Sequence, residues 1–149
     1  MFSFHIALHA RGPEVTGGPE VQLRGANFRT LIALPADLAA SLPVSFEQAG
    51  ESLGKLERLY FEPDGSLVWV SSQGEPAWQV DGNLFDRAGR LLFVDLKGTC
   101  PGKQFDRLLS AFGWPATAVM FQLVREAVFL GEAEFRRYAE MESSPTKPV

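Results

Sequence analysis

Apolar and polar residues alternate at the start of the chain, with an apolar residue at every second position. These apolar positions are Phe2, Phe4, Ile6 and Leu8. A period of two is typical of a strand that has one face against a core, so a strand is predicted over residues 2–9. After a loop that contains Gly and Pro, a second strand is predicted over 28–34, and the two strands are expected to pair as a long hairpin.

The middle of the chain predicts two β-hairpins. Within residues 59–70, apolar runs flank Pro63-Asp64-Gly65, in which Pro fixes φ and Gly accepts the positive φ of the last loop position. Residues 84–94 repeat this plan around a loop of Arg87-Ala88-Gly89. Together the hairpins predict a four-stranded antiparallel meander over about residues 56–97.

Short helices are predicted before this meander, between residues 36 and 53. Asp37 is positioned to cap a turn over 38–41. Ser45 and Gln48 have the spacing of a capping box, which predicts the start of a second short helix.

Two further helices are predicted after the meander. The first covers 101–112, with Thr99 or Cys100 as the N-cap and Pro101 at the first helical position. The second covers 132–141, where acidic residues occupy the first turn and arginines come later.

The apolar run 117–130 fits either period. A strand over 118–124 and a helix over the whole run are both open, and the strand is favoured. Residues 142–149 are polar, contain Pro and are predicted to be a disordered tail. The fold class predicted for residues 1–141 is therefore a single α+β domain, with the helices packed on the antiparallel meander.

Composition narrows the class of protein. The chain has 149 residues, one cysteine, a net charge of -4 and a pI near 5.2. This acidity argues against a surface built mainly for phosphate backbones, although a local basic patch stays open. The first residues do not resemble a signal peptide, and no apolar run approaches the roughly 18 residues of a membrane span. We expect a cytoplasmic protein that does not bind membranes.

One predicted strand is apolar on both faces. Val68 and Val70 face away from Leu67 and Trp69. This pattern predicts a central strand with helices on one face and either other chain segments or a partner on the opposite face. A homodimer is one way to supply that cover.

Two carboxylates and a lysine are predicted to meet on the second hairpin. If its loop is Arg87-Ala88-Gly89, the register places Asp81 opposite Asp95 and Gln79 opposite Lys97. Opposed Cβ atoms would lie only about 5 Å apart. Two such carboxylates repel each other unless a cation lies between them, one is protonated or a neighbouring lysine compensates.

The types and spacing of these residues resemble the signature of a known family. Asp81, thirteen residues, and then Asp95-Leu96-Lys97 resemble the PD-(D/E)xK signature of metal-dependent nucleases, although Gln79-Val80 precede Asp81 and the family's preferred Pro is absent. The predicted order of helix, meander, helix and strand is also similar to that family's core. The resemblance implies that Asp81 and Asp95 hold Mg²⁺ or Mn²⁺ and that Lys97 orients the attacking water, with Glu47 as a further helical acid.

The loop between the last meander strand and the helix at 101–112 is a candidate anion-binding site. Thr99, Cys100 and Lys103 lie at the predicted helix N-terminus, where free amides favour an anion. Cys100 is interpreted either as a reactive thiol in this environment or, as we favour, as a small residue packed at the helix start.

Two classes of function follow. The favoured one is a noncatalytic binding or interaction module, with a protein partner or a second copy of the chain, because no residue pattern requires catalysis. The alternative is a metal-dependent nuclease-like or phosphodiesterase-like enzyme that uses Asp81, Asp95 and Lys97, and only this alternative implies a nucleic-acid partner.

Overall fold

The computed structural model describes residues 1–141, so the predicted tail at 142–149 lies outside the described residues. The described chain contains nine strands and four helices. The strands are β1 (Phe2–Ala10), β2 (Thr16–Leu23), β3 (Ala26–Ile32), β4 (Leu59–Phe61), β5 (Ser66–Val70), β6 (Gln79–Arg87), β7 (Arg90–Cys100), β8 (Val119–Leu123) and β9 (Val128–Leu130). The helices are α1 (Pro35–Leu38), α2 (Phe46–Leu53), α3 (Gly102–Ser110) and α4 (Glu132–Glu140).

All nine strands form one antiparallel sheet in the order β2-β3-β9-β8-β1-β7-β6-β5-β4. The arrangement is consistent with the predicted α+β class, and strands β4 to β7 follow one another as the predicted meander. The sheet as a whole is not a meander, because β1 lies between β7 and β8. The expected hairpin between β1 and β3 is therefore wrong, and β3 pairs with β2 and β9 instead.

The β6–β7 hairpin differs in register from the prediction. Its turn contains two residues rather than three, Ala88 and Gly89, with φ of 53° and 79°. A β-bulge follows, because Phe85 pairs with Phe93 whereas Asp86 pairs with Leu91, so two residues of β7 face one residue of β6.

These two changes shift the pairing of the outer part of the hairpin by two residues. Asp81 lies opposite Lys97, and Asp95 lies opposite Asn83. The predicted opposition of Asp81 and Asp95 is therefore wrong, while their predicted position on one face of the sheet is confirmed.

The predicted helices are present with altered ends. The capping box is confirmed: Ser45 Oγ accepts a hydrogen bond from Gln48 N–H, and Gln48 Oε1 accepts one from Ser45 N–H. Asp37 is not an N-cap but the third residue of α1, where its carboxylate accepts a hydrogen bond from the N–H of Leu34.

The structure settles the two alternatives for residues 117–130. The favoured strand is confirmed as β8, and the helix is wrong, because a turn leads from β8 into the additional short strand β9. The predicted helix over 132–141 is confirmed as α4. Helix α3 begins at Gly102 with Pro101 as its N-cap, because β7 continues to Cys100. The predicted capping by Thr99 or Cys100 is therefore wrong.

Helices α2, α3 and α4 pack on one face of the sheet. A cluster of aromatic rings joins β1 and β8 to α3 and α4, namely Phe2, Phe4, Phe105, Phe121 and Phe135. Burial of such rings supplies much of the apolar area that holds a domain together. Among the described residues, no helix has both the length and the apolar character needed to cross a membrane.

The opposite face of the sheet, called here the outer face, carries polar and half-buried side chains. It includes His5, Asp81, Asp95 and Lys97, which adjacent strands place next to one another. Strand β5 is second from one edge of the sheet rather than central, and Val68 on its outer face is exposed. Cover of this face by a partner stays a prediction.

Candidate functional site

A groove of about 730 Å³ lies where the outer face meets the end of α4. It lies where the first residues of β1 extend past the end of β8 at Leu123, and the hydrogen bond from Val124 N–H to the His5 carbonyl is the last contact between the two segments on this side. We call it the basic groove. Its polar lining consists of Ser3, His5, Arg24, Lys97, Thr99, Arg125, Glu126 and Tyr138.

Three strands or helices and two turns bring these side chains together. Strands β1 and β7 supply one wall, with Ser3 opposite Thr99 and His5 opposite Lys97. The β2–β3 turn supplies Arg24, the β8–β9 turn supplies Arg125 and Glu126, and α4 supplies Tyr138. The site is thus assembled from parts of the chain that are far apart in sequence.

Close backbone contact between β6 and β7 shapes this wall. Gly98, between Lys97 and Thr99, has φ of 146°, and a Cβ atom at this position would overlap the carbonyl oxygen of Gln79. Only glycine meets both conditions without strain. The position of Gly98 therefore fixes how its two neighbours reach the groove.

Arg24 is held in place by α4. Its Nη1 donates hydrogen bonds of 2.8 Å to the carbonyl oxygens of Tyr138 and Met141, and its guanidinium lies 3.8 Å from the centre of the Tyr138 ring. A cation is favoured at a helix C-terminus, where free carbonyls gather negative charge. Nε and Nη2 of Arg24 donate no hydrogen bond to any residue from 1 to 141.

The groove is cationic. Among the described residues that line it, Arg24, Lys97 and Arg125 are accompanied by one carboxylate, that of Glu126. Glu126 accepts a hydrogen bond of 3.1 Å from the hydroxyl of Tyr138. Burial is the main cause that raises the pKa of Tyr138, so this hydroxyl keeps its proton at neutral pH.

In the described part of the chain, no carboxylate forms an ion pair with the three cations of the basic groove. Within residues 1–141, the ion pairs involve Arg29, Arg136 and Arg137 but not Arg24, Lys97 or Arg125. Asp81 lies opposite Lys97 on β6 but makes no ion pair with it, and its carboxylate instead accepts a hydrogen bond from the side chain of Gln79. Lys97 is thus available to a ligand in the groove.

A half-buried carboxylate lies beside the groove. Asp95 is two residues before Lys97 on the same face, between Ala7 of β1 and Asn83 of β6. Burial raises the pKa of Asp95, and the neighbouring charges of His5 and His9 act in the opposite direction. The Asp95 side chain makes no hydrogen bond within the described part of the chain.

An aromatic stack occupies the same face beyond Asp95. The rings of His9 and Phe93 lie 5.4 Å apart, and those of Phe93 and Phe85 lie 4.6 Å apart, with angles of 20° and 14° between their planes. Burial lowers the pKa of His9, whose Nε2 is 3.4 Å from Gln122 Oε1. The stack runs across β1, β7 and β6, and its last ring, Phe85, is 36% exposed.

The structure separates the predicted anion-binding residues. Thr99 lines the basic groove. Cys100 points to the opposite face, where it is fully buried in the core, and burial raises its pKa to about 12, so it is a protonated packing residue as the favoured interpretation had it. Lys103 is exposed on α3 and does not line the groove.

The predicted metal ligands share a face but form an incomplete donor set. Asp81 and Asp95 are diagonal neighbours on β6 and β7, a relation that separates Cβ atoms by about 7 Å. Glu47 lies on α2, on the other face of the sheet. Within residues 1–141, no three His, Cys, Asp or Glu side chains are grouped closely enough to hold a metal ion.

Sequence reasoning missed Arg24 and Arg125. Arg24-Gly25 is a two-residue hairpin turn with positive φ at both positions. The sequence signal for that turn is weak, because Asn or Asp usually precedes the glycine. Nothing in the local pattern around Arg125 indicates that its turn meets β1 and α4.

The fold and site define an α+β protein whose antiparallel sheet carries its helices on one face and has a cationic groove at one end of the other, outer face. Comparisons with models of protein families, with curated proteins and with solved structures give no significant match to this chain. Its function is therefore argued from the site.

Proposed function

We propose that this protein is a noncatalytic binding module that holds an anionic group, a phosphate or a carboxylate, in the basic groove. One observation carries the proposal: Arg24, Lys97 and Arg125 converge on one cavity, and none of them is paired with a carboxylate in the described part of the chain. Unpaired cations in a concave site attract anions, and charge-assisted hydrogen bonds are the strong ones.

The charge of the whole chain sharpens this inference. At a net charge of -4, the protein as a whole repels anions, yet this cavity gathers cations. The hydroxyls of Ser3 and Thr99 add neutral hydrogen-bond donors on the same wall. Cations and donors of this kind are sufficient to hold an anionic group, and binding requires no reaction.

Calorimetric titration with inorganic pyrophosphate and with citrate tests the proposal. We expect saturable binding of at least one of them and an affinity that falls as NaCl is raised, because salt screens the charges. Lys97→Met and Arg125→Met should each weaken binding about 10-fold or more, the size expected for one charge-assisted hydrogen bond. Lys55→Met, which removes an exposed lysine that does not line the groove, is the matched control.

A second control separates the basic groove from the N-terminus of α3. Lys103→Met removes the lysine predicted from the sequence to bind an anion there. If this variant loses binding and Lys97→Met does not, the anion lies at the helix and the groove proposal is wrong. Absence of binding to both probes by the wild-type protein would also contradict the proposal.

The metal-dependent enzyme is the second candidate. Its support is that Asp81, Asp95 and Lys97 lie on one face of adjacent strands, as the resemblance requires. It needs a further ligand for Mg²⁺ or Mn²⁺, because two diagonal carboxylates leave most coordination positions empty. Titration of Mn²⁺ into the wild type and into Asp95→Asn tests it, and only binding that the substitution abolishes would support a nuclease assay.

A further inference from the structure

Four outward side chains of β7 form a straight column that begins in the basic groove and leads out of it along the strand. They are Thr99, Lys97, Asp95 and Phe93, at alternate positions of one strand. Alternate residues of a strand are about 6.6 Å apart, so Lys97 and Phe93 are separated by about 13 Å along β7. The column thus offers a cation and a hydroxyl at one end, a carboxylate in the middle and an aromatic ring at the other end.

The middle of the column is suited to hydroxyl groups. Asp95 is half-buried and has no hydrogen-bond donor among the described side chains, and its neighbour on β1 is the small Ala7. A carboxylate accepts hydrogen bonds from hydroxyls but repels phosphate, so the neutral part of a ligand belongs at this position.

The far end of the column is suited to a planar ring. His9, Phe93 and Phe85 already form a stack across three strands, and the partly exposed Phe85 ring ends it. Another flat ring can extend this stack. Stacking of one base on an aromatic side chain tightens binding by about 10-fold or more.

From this order of chemical groups, we infer that the ligand of the basic groove is a phosphorylated nucleoside. Its phosphates bind Lys97, Arg125 and Thr99, its sugar hydroxyls donate to Asp95, and its base stacks on Phe85. The inference rests on the proposed anion-binding function and names the ligand class of that same site.

The charges of the outer face favour a single nucleotide over a nucleic-acid strand. A strand carries a phosphate at every nucleotide, whereas the groove gathers Arg24, Lys97 and Arg125 at one end of the face. Asp81 and Asp95 lie farther along this face, where further phosphates would meet negative charge. A single nucleotide keeps its phosphates in the groove and brings only its neutral sugar and base to the rest of the face.

Calorimetric titration of the full chain with the four common ribonucleoside diphosphates tests the inference, with inorganic pyrophosphate and a single-stranded oligonucleotide as comparison ligands. We expect at least one diphosphate to bind 10-fold or more tightly than pyrophosphate. Phe85→Leu should remove this gain and leave pyrophosphate binding unchanged. Asp95→Asn should weaken binding of the ribonucleotide more than binding of its 2′,3′-dideoxy analogue.

Tyr60→Ala is the matched control, because Tyr60 is an exposed aromatic residue on the outer side of β4, away from the column. Thermal melting of each variant shows whether it folds, and Phe85→Leu is chosen because it keeps an apolar side chain.

The outcomes separate the inference from the proposed function. If pyrophosphate binds and no nucleotide binds more tightly, the groove is an anion site and the nucleotide inference is wrong. If neither pyrophosphate nor any nucleotide binds, both are wrong. If the oligonucleotide binds more tightly than every diphosphate and depends on Phe85, the ligand is a single strand and the inference is again overturned.

Discussion

At the scale of a single residue, Asp95 makes the stability of the protein depend on pH. Burial raises its pKa above the value of the unfolded chain, so the folded state prefers the protonated carboxyl. Any stabilisation from this proton is present at low pH and is lost as pH rises through the folded-state pKa. At neutral pH the ionised, half-buried Asp95 therefore lowers the free energy of unfolding.

We accordingly expect Asp95→Asn to be more stable than the wild type at pH 7. The gain should be up to about 0.5 kcal/mol, because water screens a half-buried carboxylate. The difference should shrink as pH falls through the raised folded-state pKa, where wild-type Asp95 takes up its proton. Urea denaturation at several pH values measures this, and an unchanged or lower stability at pH 7 would contradict the assignment.

His9 makes the free energy of unfolding depend on pH in the opposite direction. Its pKa is lowered by burial, so the folded state prefers the neutral ring, and stability should decline as pH falls below about 6.5, the value of an unperturbed His. His9→Gln should remove this decline between pH 6.5 and the folded-state pKa of His9. His5→Gln is the control at the other outward histidine of β1, and the same denaturation series distinguishes the two variants.

The turn residue Ala88 carries a backbone cost. Its φ of 53° lies in the left-handed region, which costs a residue other than glycine roughly 1 kcal/mol. Because Ala88 is exposed, Ala88→Gly should raise the free energy of unfolding by about 0.5–1 kcal/mol. Ala133→Gly, at an exposed position of α4, should lower it by a similar amount, and denaturant titration of both variants checks the contrast.

At the scale of elements, local sequence chemistry accounts for what could be predicted. The turn at Pro63-Asp64-Gly65, the Ser45 capping box and the apolar alternation of β1 are contained within a few residues each, and the structure has all three. Long-range pairing is different. The alternation of β1 cannot show that its neighbours are β7 and β8, because strands with apolar inner faces are interchangeable in pattern.

The candidate site, too, could be predicted only where local sequence determines it. Lys97 and Thr99 could be singled out because they lie beside two predicted acidic positions and a predicted helix start. The register of Asp81 could not be predicted, because a two-residue turn with a bulge and a three-residue turn suit nearly the same sequence. Arg24 and Arg125 enter the basic groove from turns whose positions depend on the completed sheet.

Helices α3 and α4 are joined by Arg136. Its side chain lies 2.7 Å from Asp106 on α3 and 3.0 Å from Glu132 on α4, and Trp114 Nε1 donates to that same glutamate. These partly buried pairs should contribute more than isolated surface pairs. We expect Arg136→Met to lower the free energy of unfolding by about 1–2 kcal/mol, with the exposed Arg107→Met as control, both measured by denaturant titration. Equal stability of these variants would contradict the role of Arg136.

At the scale of the whole molecule, an acidic chain gathers three cations that form no ion pair with any other residue of the range 1–141. This arrangement lowers the stability of the unliganded protein. Arg24, Lys97 and Arg125 repel one another in the basic groove when it holds no anion. A bound anion relieves that repulsion and binds the folded state alone, because the unfolded chain does not bring the three residues together. Ligand binding and stability are therefore linked.

This linkage gives a prediction for thermal unfolding. At a pyrophosphate concentration about 100 times its dissociation constant, the wild type should gain about 2.7 kcal/mol, a rise of roughly 5–10 °C for a chain of this size. The double variant Lys97→Met with Arg125→Met should melt at a higher temperature than wild type without ligand and respond little to pyrophosphate. Any general salting effect of the anion acts on both proteins and cancels in the comparison. Equal pyrophosphate responses of the two proteins would mean that the stabilisation arises outside the basic groove. A lower melting temperature of the unliganded variant would mean that repulsion among these cations does not destabilise the folded wild type.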